Sequence, residues 1–206
     1  MGIFEILKEL SEACGAPGFE YSVNAVIARL LEGYVDSIKT DSMGNLIARK
    51  GSGGKSIMIA AHMDEIGLMV KHIDERGFIR FAKLGGIADQ LLLGQRVVIH
   101  TRRGPVRGVI GCKPIHLMKE DERKQLVTYD KMFIDVGASS LDEARELGIR
   151  VGDPITVDRG VMELRGGLVC GKAFDDRAGC AVLVHVLREA KPRNTVYGVF
   201  TVQEEV

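Results

Sequence analysis

The sequence predicts an α/β domain whose chain is interrupted by an inserted β-rich domain. Helical apolar spacing is concentrated at the two ends of the chain, and its middle consists of short strands separated by glycines. The predicted boundaries assign residues 1–65 and 163–206 to the α/β domain and residues 66–162 to the β-rich domain.

Two amphipathic helices are predicted first, over residues 3–14 and 20–33, because apolar residues recur there at helical spacing. A Gly-Ala-Pro-Gly breaker separates them. Three strands follow, over residues 35–40, 45–50 and 55–61. The third is a continuous apolar run, which predicts a buried strand in a sheet covered on both faces.

The middle of the chain predicts a compact β-barrel or sandwich, because many short strands alternate with turns. The predicted strands cover residues 66–73, 78–83, 96–101, 106–112 and 154–157. Helical periodicity appears in this part at residues 141–147. A helix over residues 179–190 and a strand over residues 195–202 return the chain to the α/β domain.

Composition narrows the function classes. A chain of 206 residues with 46% hydrophobic residues can bury a core, and 28 basic residues balance 28 acidic ones. No net field therefore recruits nucleic acid or an anionic membrane, and no segment is long and apolar enough to span a bilayer. The four cysteines have no paired spacing and are predicted to be reduced, and the first residues lack a signal-peptide core, so we expect a cytoplasmic protein.

The first candidate site segment is the end of the strand at residues 55–61. His62 and Asp64 are two residues apart, which points both side chains the same way in an extended chain. The imidazole could bind a metal while the carboxylate orients it. The alternative is a strand-end histidine satisfied by a turn aspartate.

Two further carboxylate pairs follow. Asp175 and Asp176 precede a helix; one suffices as its N-cap, and the second could bridge two cations. Glu204 and Glu205 follow the last strand and are predicted to point to opposite sides, so that one could ligate a metal and the other act as a base; the alternative is a solvated strand end. Carboxylates gathered at strand ends would repel one another and raise their pKa values, a penalty that divalent metal ions remove.

Three ordered segments carry a resemblance to a known family. Residues 60–67, 172–179 and 202–206, supported by residues 135–138 and 148–154, resemble the dinuclear metal-dependent aminopeptidases of the glutamyl and tetrahedral type. The resemblance implies a mixed-sheet zinc-peptidase domain of the phosphorylase/hydrolase-like kind. It also implies that the inserted β-barrel is a PDZ-like dimerisation domain.

The resemblance assigns roles to five residues. His62 would ligate one metal, Asp175 would bridge both, and Glu205 would ligate the other. Asp64 would orient His62, and Glu204 would be the general base for a water activated by two divalent ions, zinc or cobalt.

The resemblance also implies a cis peptide between Asp175 and Asp176, and short peptides as substrates that lose their N-terminal residue. It implies a homo-oligomer in which dimers assemble into a dodecamer. Family members carry a further Asp and a further His ligand after the Glu pair, so we expect this chain to be incomplete at its C-terminus. We expect the 206 residues alone to bind metal weakly and to have little peptidase activity.

Two alternatives stay open. One is a related dinuclear metal carboxypeptidase, dipeptidase or deacylase, because these enzymes use the same arrangement of one histidine and several carboxylates. An insertion directly after residues 62–64 favours the aminopeptidase over them. The other alternative is a non-catalytic peptide-binding or assembly module that uses residues 66–162.

Overall fold

The chain divides into two units, and the computed structural model describes all of its residues, 1–206. One unit consists of residues 1–65 and 159–206, and the other of residues 66–158. The units are separated after residues 65 and 158, and the predicted domains after residues 65 and 162. That the two units fold as independent domains stays a prediction.

The first part of the chain forms two helices and three strands. Their bounds are α1 (Ile3–Glu12), α2 (Tyr21–Leu31), β1 (Ser37–Thr40), β2 (Leu46–Lys50) and β3 (Ser56–His62). Each lies within a residue or two of its predicted segment, because apolar periodicity and turn residues are clear in this part of the sequence.

The second unit is a closed six-stranded barrel with strand order β4-β5-β8-β7-β6-β9, in which all neighbouring strands are antiparallel. The structure thus decides between the predicted barrel and sandwich. Its elements are β4 (Gly67–Ile73), β5 (Ile79–Leu84), β6 (Arg96–Thr101), β7 (Gly104–Gly111), α3 (Glu120–Arg123), β8 (Phe133–Asp135), α4 (Leu141–Glu146) and β9 (Pro154–Val157).

The chain then returns to the first unit through a two-stranded ribbon, a long helix and a last strand. These are β10 (Met162–Glu163), β11 (Val169–Cys170), α5 (Phe174–Glu189) and β12 (Thr195–Thr201). None of the protein's helices combines the length and apolarity needed to cross a membrane.

The sheet of the first unit has the order β1-β2-β12-β3, with β12 antiparallel to β2 and parallel to β3. The parallel register pairs Thr201 with His62, and the Met63 N–H donates to the Thr201 carbonyl at 2.7 Å. The carboxyl ends of β3 and β12 therefore lie side by side, which is where α/β folds place ligands.

The prediction that β3 is buried on both faces is wrong for this structure. The sheet order makes β3 an edge strand with one neighbour, and Ile57, Met58 and Ile59 are exposed by 43%, 71% and 40%. An apolar run indicates which residues favour burial, but it does not specify which neighbouring strand or helix covers them.

The core of the first unit places helices against the sheet. Ile6 of α1, Ile27 of α2 and Val184 of α5 are fully buried in one cluster with Leu46 of β2 and Phe200 of β12. Because α5 and β12 share this core, the start of the helix and the end of the strand are both fixed by apolar burial.

Candidate metal centre

The three predicted ligand-bearing segments come together at the edge formed by β3 and β12. His62 Nε2 lies 3.2 Å from Asp175 Oδ1 and 4.0 Å from Glu204 Oε2. Ligand atoms of His62, Glu204 and Glu205 all lie within 4.8 Å of one another. A nitrogen and several carboxylate oxygens from distant parts of the sequence thus face one small volume.

The structure gives Asp64 a role that sequence reasoning missed. Asp64 is fully buried, and its Oδ1 and Oδ2 accept hydrogen bonds from the backbone N–H groups of Glu204, at 3.1 Å, and Glu205, at 2.8 Å. Its Oδ1 is also 3.5 Å from His62 Nδ1, but that nitrogen makes no hydrogen bond. The carboxylate therefore holds the glutamate pair by hydrogen bonds and is beside the imidazole without bonding to it.

The prediction that Glu204 and Glu205 point to opposite sides of a strand is wrong. The strand β12 ends at Thr201, and Gln203 has a φ of 57°, in the left-handed region. This conformation ends the side-to-side alternation of an extended chain. Both glutamates consequently bring a carboxylate oxygen close to His62.

The two aspartates at the start of α5 make different contacts. Asp176 Oδ1 accepts a hydrogen bond from the Gly179 N–H at 3.0 Å, as an N-cap does. The Asp175 side chain is 86% exposed and faces His62. The peptide between Asp175 and Asp176 is cis, as the resemblance implies. A Cβ at Gly179 would lie 2.4 Å from Asp176 Oδ1, so glycine allows the cap to approach.

A buried ion network lies behind the site, and sequence reasoning missed it. Fully buried Arg177 donates from Nε to the Met63 carbonyl at 2.6 Å, between His62 and Asp64 in sequence. Lys172 Nζ donates to both carboxylate oxygens of Glu65 at 2.6 Å and 2.8 Å, and Arg177 Nη2 lies 3.6 Å from the same carboxylate. The network fixes the chain after β3 against the start of α5.

The same arginine also fastens α1 to this network. Arg177 Nη1 donates to the carbonyls of Leu10 and Ala13, which lie at the end of that helix. The Ser11 hydroxyl donates to the Lys172 carbonyl, which secures the segment before α5. The sequence signal that could have indicated this network is the arginine directly after the Asp-Asp pair. The structure shows that this arginine is buried in the core.

The charges in the site are unbalanced. Burial raises the pKa of Glu205, and the negative charges of Asp175, Glu204 and Asp64 raise it further, while His62 opposes them. The thiol of Cys180 donates to the His62 carbonyl at 3.2 Å, and burial raises its pKa to about 12, which keeps it a neutral thiol. Negative charge in the site thus exceeds what its one imidazole can balance.

These features fit a divalent metal ion. His62 Nε2 and the carboxylates of Asp175, Glu204 and Glu205 form a mixed nitrogen and oxygen donor set of the kind that zinc and cobalt accept. A cation there would also reduce the repulsion that raises the pKa of Glu205.

Comparison with known proteins identifies relatives of this chain. The lysyl aminopeptidase of Pyrococcus furiosus is 34% identical over 207 residues, covering 98% of this chain and 60% of that protein. The TET aminopeptidase structure from the marine sediment archaeon Thaumarchaeota archaeon SCGC AB-539-E09 has a TM-score of 0.94 and 44% identity, over 99% of this chain and 60% of that one.

A second solved structure, of the Pyrococcus horikoshii TET1 peptidase, has a TM-score of 0.91 and 36% identity, over all of this chain and 62% of that one. It is described as assembling into a tetrahedron or a large octahedral shell. The chain spans 56% to 60% of the length of four curated relatives that it matches, among them this lysyl aminopeptidase.

The family profile of the M42 glutamyl aminopeptidases matches residues 44–206, which include His62, the Asp175-Asp176 pair and the glutamate pair. The matched segment thus contains every candidate residue of the site and the whole barrel. The chain therefore belongs to the M42 glutamyl aminopeptidase family.

Proposed function

We propose that the protein to which this chain belongs is a metal-dependent aminopeptidase that removes the N-terminal residue from short peptides. The observation that carries the proposal is the convergence of His62, Asp175, Glu204 and Glu205 at the carboxyl edge of β3 and β12. Membership of the M42 family and the lysyl specificity named for one relative support the aminopeptidase over the related carboxypeptidases and deacylases.

The proposal gives each residue the role that the resemblance implies. His62 and Glu205 would each ligate a metal ion, and Asp175, whose exposed carboxylate lies 3.2 Å from His62 Nε2, would bridge two ions. Zinc and cobalt are the expected ions, because both accept imidazole and carboxylate ligands. Asp64 would position the glutamate pair and the imidazole.

Glu204 is the proposed general base. When bound, divalent ions would supply an acidified water and polarise the scissile carbonyl. The Glu204 carboxylate, 63% exposed and 4.0 Å from His62 Nε2, would accept the proton of the attacking water and return it to the departing amine. Asp64 would keep Glu204 at the required place through the hydrogen bond to its backbone N–H.

The proposal includes self-assembly. The relative from P. horikoshii is described as a tetrahedron or an octahedral shell, and a closed tetrahedral assembly of identical subunits contains twelve copies. We propose a dodecamer in which the barrel of residues 66–158 is the PDZ-like dimerisation domain of a phosphorylase/hydrolase-like peptidase. The four free cysteines support the proposed cytoplasmic location, because that compartment keeps thiols reduced.

Calorimetric titration with zinc and cobalt, paired with aminopeptidase assays, tests the proposal on the protein to which this chain belongs, because the 206 residues alone are expected to bind metal weakly. His62→Ala and Glu205→Gln should each weaken metal binding at least tenfold, because each removes a ligand. Glu204→Gln should keep metal affinity within about threefold and lose turnover, because an amide accepts no proton. Glu189→Gln, an exposed change at the far end of α5, is the control.

Two results would overturn the proposal. Metal affinity that is unchanged by His62→Ala would show that the proposed metal centre does not exist at His62. Full turnover in Glu204→Gln would show that Glu204 is not the general base. A protein that binds peptides but neither binds metal nor hydrolyses them would instead support the non-catalytic module.

A further inference from the structure

Four consecutive backbone N–H groups at the end of the chain are held by side-chain oxygens. The N–H of Val202 donates to Asn45 Oδ1 at 3.0 Å, and that of Gln203 donates to Glu20 Oε1 at 3.0 Å. The next two, of Glu204 and Glu205, donate to Asp64. Within a sheet such groups bond to a neighbouring strand, so this is a change of partner directly after β12 ends.

Glu20, which accepts the Gln203 N–H, is a buried carboxylate at the start of a helix that it does not cap. It occupies the N-cap position of α2 and is only 6% exposed, but its side chain makes no cap hydrogen bond. Its Oε1 instead accepts from Gly18 N at 2.9 Å and from Gln203 N, 183 residues away. Burying a carboxylate costs free energy, so a buried carboxylate that does not cap its own helix is a departure that points to another role.

Asn45 acts from the other side, in the turn between β1 and β2. Its amide nitrogen donates to Asp41 Oδ2 at 2.8 Å, which orients the side chain so that its oxygen faces the Val202 N–H. Asp41 in turn accepts from the backbone N–H groups of Met43, Gly44 and Asn45, so the turn that carries the amide is itself well fixed.

The conformation of the segment explains why several anchors are needed. Gln203 has a φ of 57°, which a non-glycine residue adopts rarely and keeps only where its surroundings determine it. Its N–H is held by Glu20, and the groups on either side are held by Asn45 and Asp64. The turn at Gln203 brings both glutamate carboxylates towards His62.

We propose that Glu20 and Asn45 are positioning residues that, together with Asp64, fix Glu204 and Glu205 in the site before any metal or substrate binds. The importance of this positioning rests on the proposed function, but the positioning itself does not require a metal. Pre-organised ligands avoid the entropy cost of ordering at the moment of binding, so loss of an anchor should weaken metal binding without removing a ligand.

Amide hydrogen exchange of the metal-free protein, followed by NMR, tests the positioning directly. Glu20→Ala should speed exchange at Gln203 and Glu204 by roughly tenfold, because the N–H of Gln203 loses a charged acceptor. Glu20→Gln keeps a side-chain oxygen and should stay within about threefold of the wild type. Asn45→Ala should have its largest effect at Val202.

A matched control separates positioning from general stability. Leu31→Ala lies at the other end of α2 and also removes a fully buried side chain, but from the apolar core. It should destabilise the unit while leaving the exchange at residues 202–205, relative to the amides of β12, unchanged. Equal effects of Glu20→Ala and Leu31→Ala at these amides would overturn the proposal.

Cobalt titration of the protein to which this chain belongs is the second readout. Glu20→Ala should weaken cobalt binding about tenfold, and Glu20→Gln should restore it. If the wild type binds no cobalt while Glu20→Ala still frees the amides, the proposed function fails and the positioning stands. If cobalt affinity depends on His62 and Glu205 but the amides of Glu20→Ala stay protected, the positioning fails and the proposed function stands.

Discussion

At the scale of single residues, Asp64 accepts hydrogen bonds from two backbone N–H groups of the candidate site. Asp64→Asn keeps one acceptor oxygen and turns the other into an N–H₂ group that faces a backbone N–H, so either Glu204 or Glu205 loses its partner. We predict a loss of about 1–3 kcal/mol in the free energy of unfolding and a cobalt affinity at least tenfold weaker. Urea unfolding and cobalt titration measure the two effects.

The control for this prediction is Asp153→Asn in the barrel unit, where Asp153 Oδ2 accepts the Arg150 N–H at 2.8 Å. It makes the same carboxylate-to-amide change at another aspartate that accepts a backbone hydrogen bond, away from the candidate centre. A cobalt affinity that falls equally in both variants would contradict the role of Asp64 in the site.

The thiols give a second prediction at this scale. Burial, followed by the negative charge of Glu65, raises the pKa of Cys14 to about 11, although Lys172 and Arg177 oppose the shift. Because the thiolate is the reactive form, about one in a thousand Cys14 thiols is reactive at pH 8, and each unit of higher pH should speed alkylation about tenfold up to pH 11.

Iodoacetamide labelling of the native protein, read by mass spectrometry, measures these rates against free glutathione. Cys180, with a pKa raised to about 12 by burial, should react more slowly still. A Cys14 rate at pH 8 equal to that of glutathione would contradict the prediction.

At the scale of elements, Arg177 joins three of them. Its guanidinium donates to carbonyls at the end of α1 and after β3, and it is itself carried by α5. We predict that Arg177→Met destabilises the protein by about 3–5 kcal/mol, because these carbonyls lose their donor and Glu65 loses a nearby positive charge. Arg177→Lys should recover only part of this, since one ammonium cannot reach all three carbonyls.

Urea unfolding measures this effect, with Arg193→Met as the control for loss of an arginine near the other end of α5. An equal, small change in the two variants would show that the network contributes little. Because Arg177 Nη2 lies 3.6 Å from Glu65 Oε1, the double variant Glu65→Gln with Arg177→Met should cost less than the sum of the single changes.

The packing of α5 on β12 depends on one glycine. A Cβ at Gly198 would lie 2.5 Å from Leu187 Cδ1 and 3.4 Å from Leu183 Cδ1. We predict that Gly198→Ala destabilises the protein by about 1–3 kcal/mol through overpacking. Leu187→Ala should make room for the methyl group, so the double variant should be more stable than the sum of the single changes predicts. Thermal unfolding of the four proteins measures this coupling, and strict additivity would contradict it.

The sequence was sufficient for elements with a strong local pattern. The strands β6 and β9 have the predicted bounds, because turn residues delimit both. The sequence was insufficient where distant parts of the chain determine how a strand is paired and buried. The three residues of β8 carry too short a pattern, and β3 is at a sheet edge that its apolar run does not reveal.

The candidate site follows the same division. Its segments were found from His62, Asp175 and the glutamate pair, because charged residues at strand and helix ends are visible locally. The left-handed conformation of Gln203 could not be found from the sequence, since glutamine has no preference for that conformation. The hydrogen bond from Gln203 to Glu20 joins residues 183 positions apart, a distance over which no periodicity carries information.

At the scale of the whole molecule, the barrel is built as an insertion. The chain enters it at β4 and leaves it at β9, and these strands are antiparallel neighbours, with Leu68 opposite Ile155. The two ends of the segment therefore lie side by side, as they must if one compact unit interrupts another without disturbing its fold. The core of the barrel is a cluster of its own, formed by residues of this segment alone.

This arrangement predicts that residues 66–158 fold when expressed alone. The closed barrel leaves no strand edge unpaired, and a buried core that includes Ile79, Ile99 and Ile134 is complete within the segment. We expect a single cooperative urea transition and a dispersed amide NMR spectrum. Ile134→Asp, which places a charge among these side chains, should abolish both, because an unpaired buried charge is not tolerated. A segment that stays unfolded without the substitution would mean that the barrel requires residues 1–65 or 159–206 for stability, and that the two units are not independent domains.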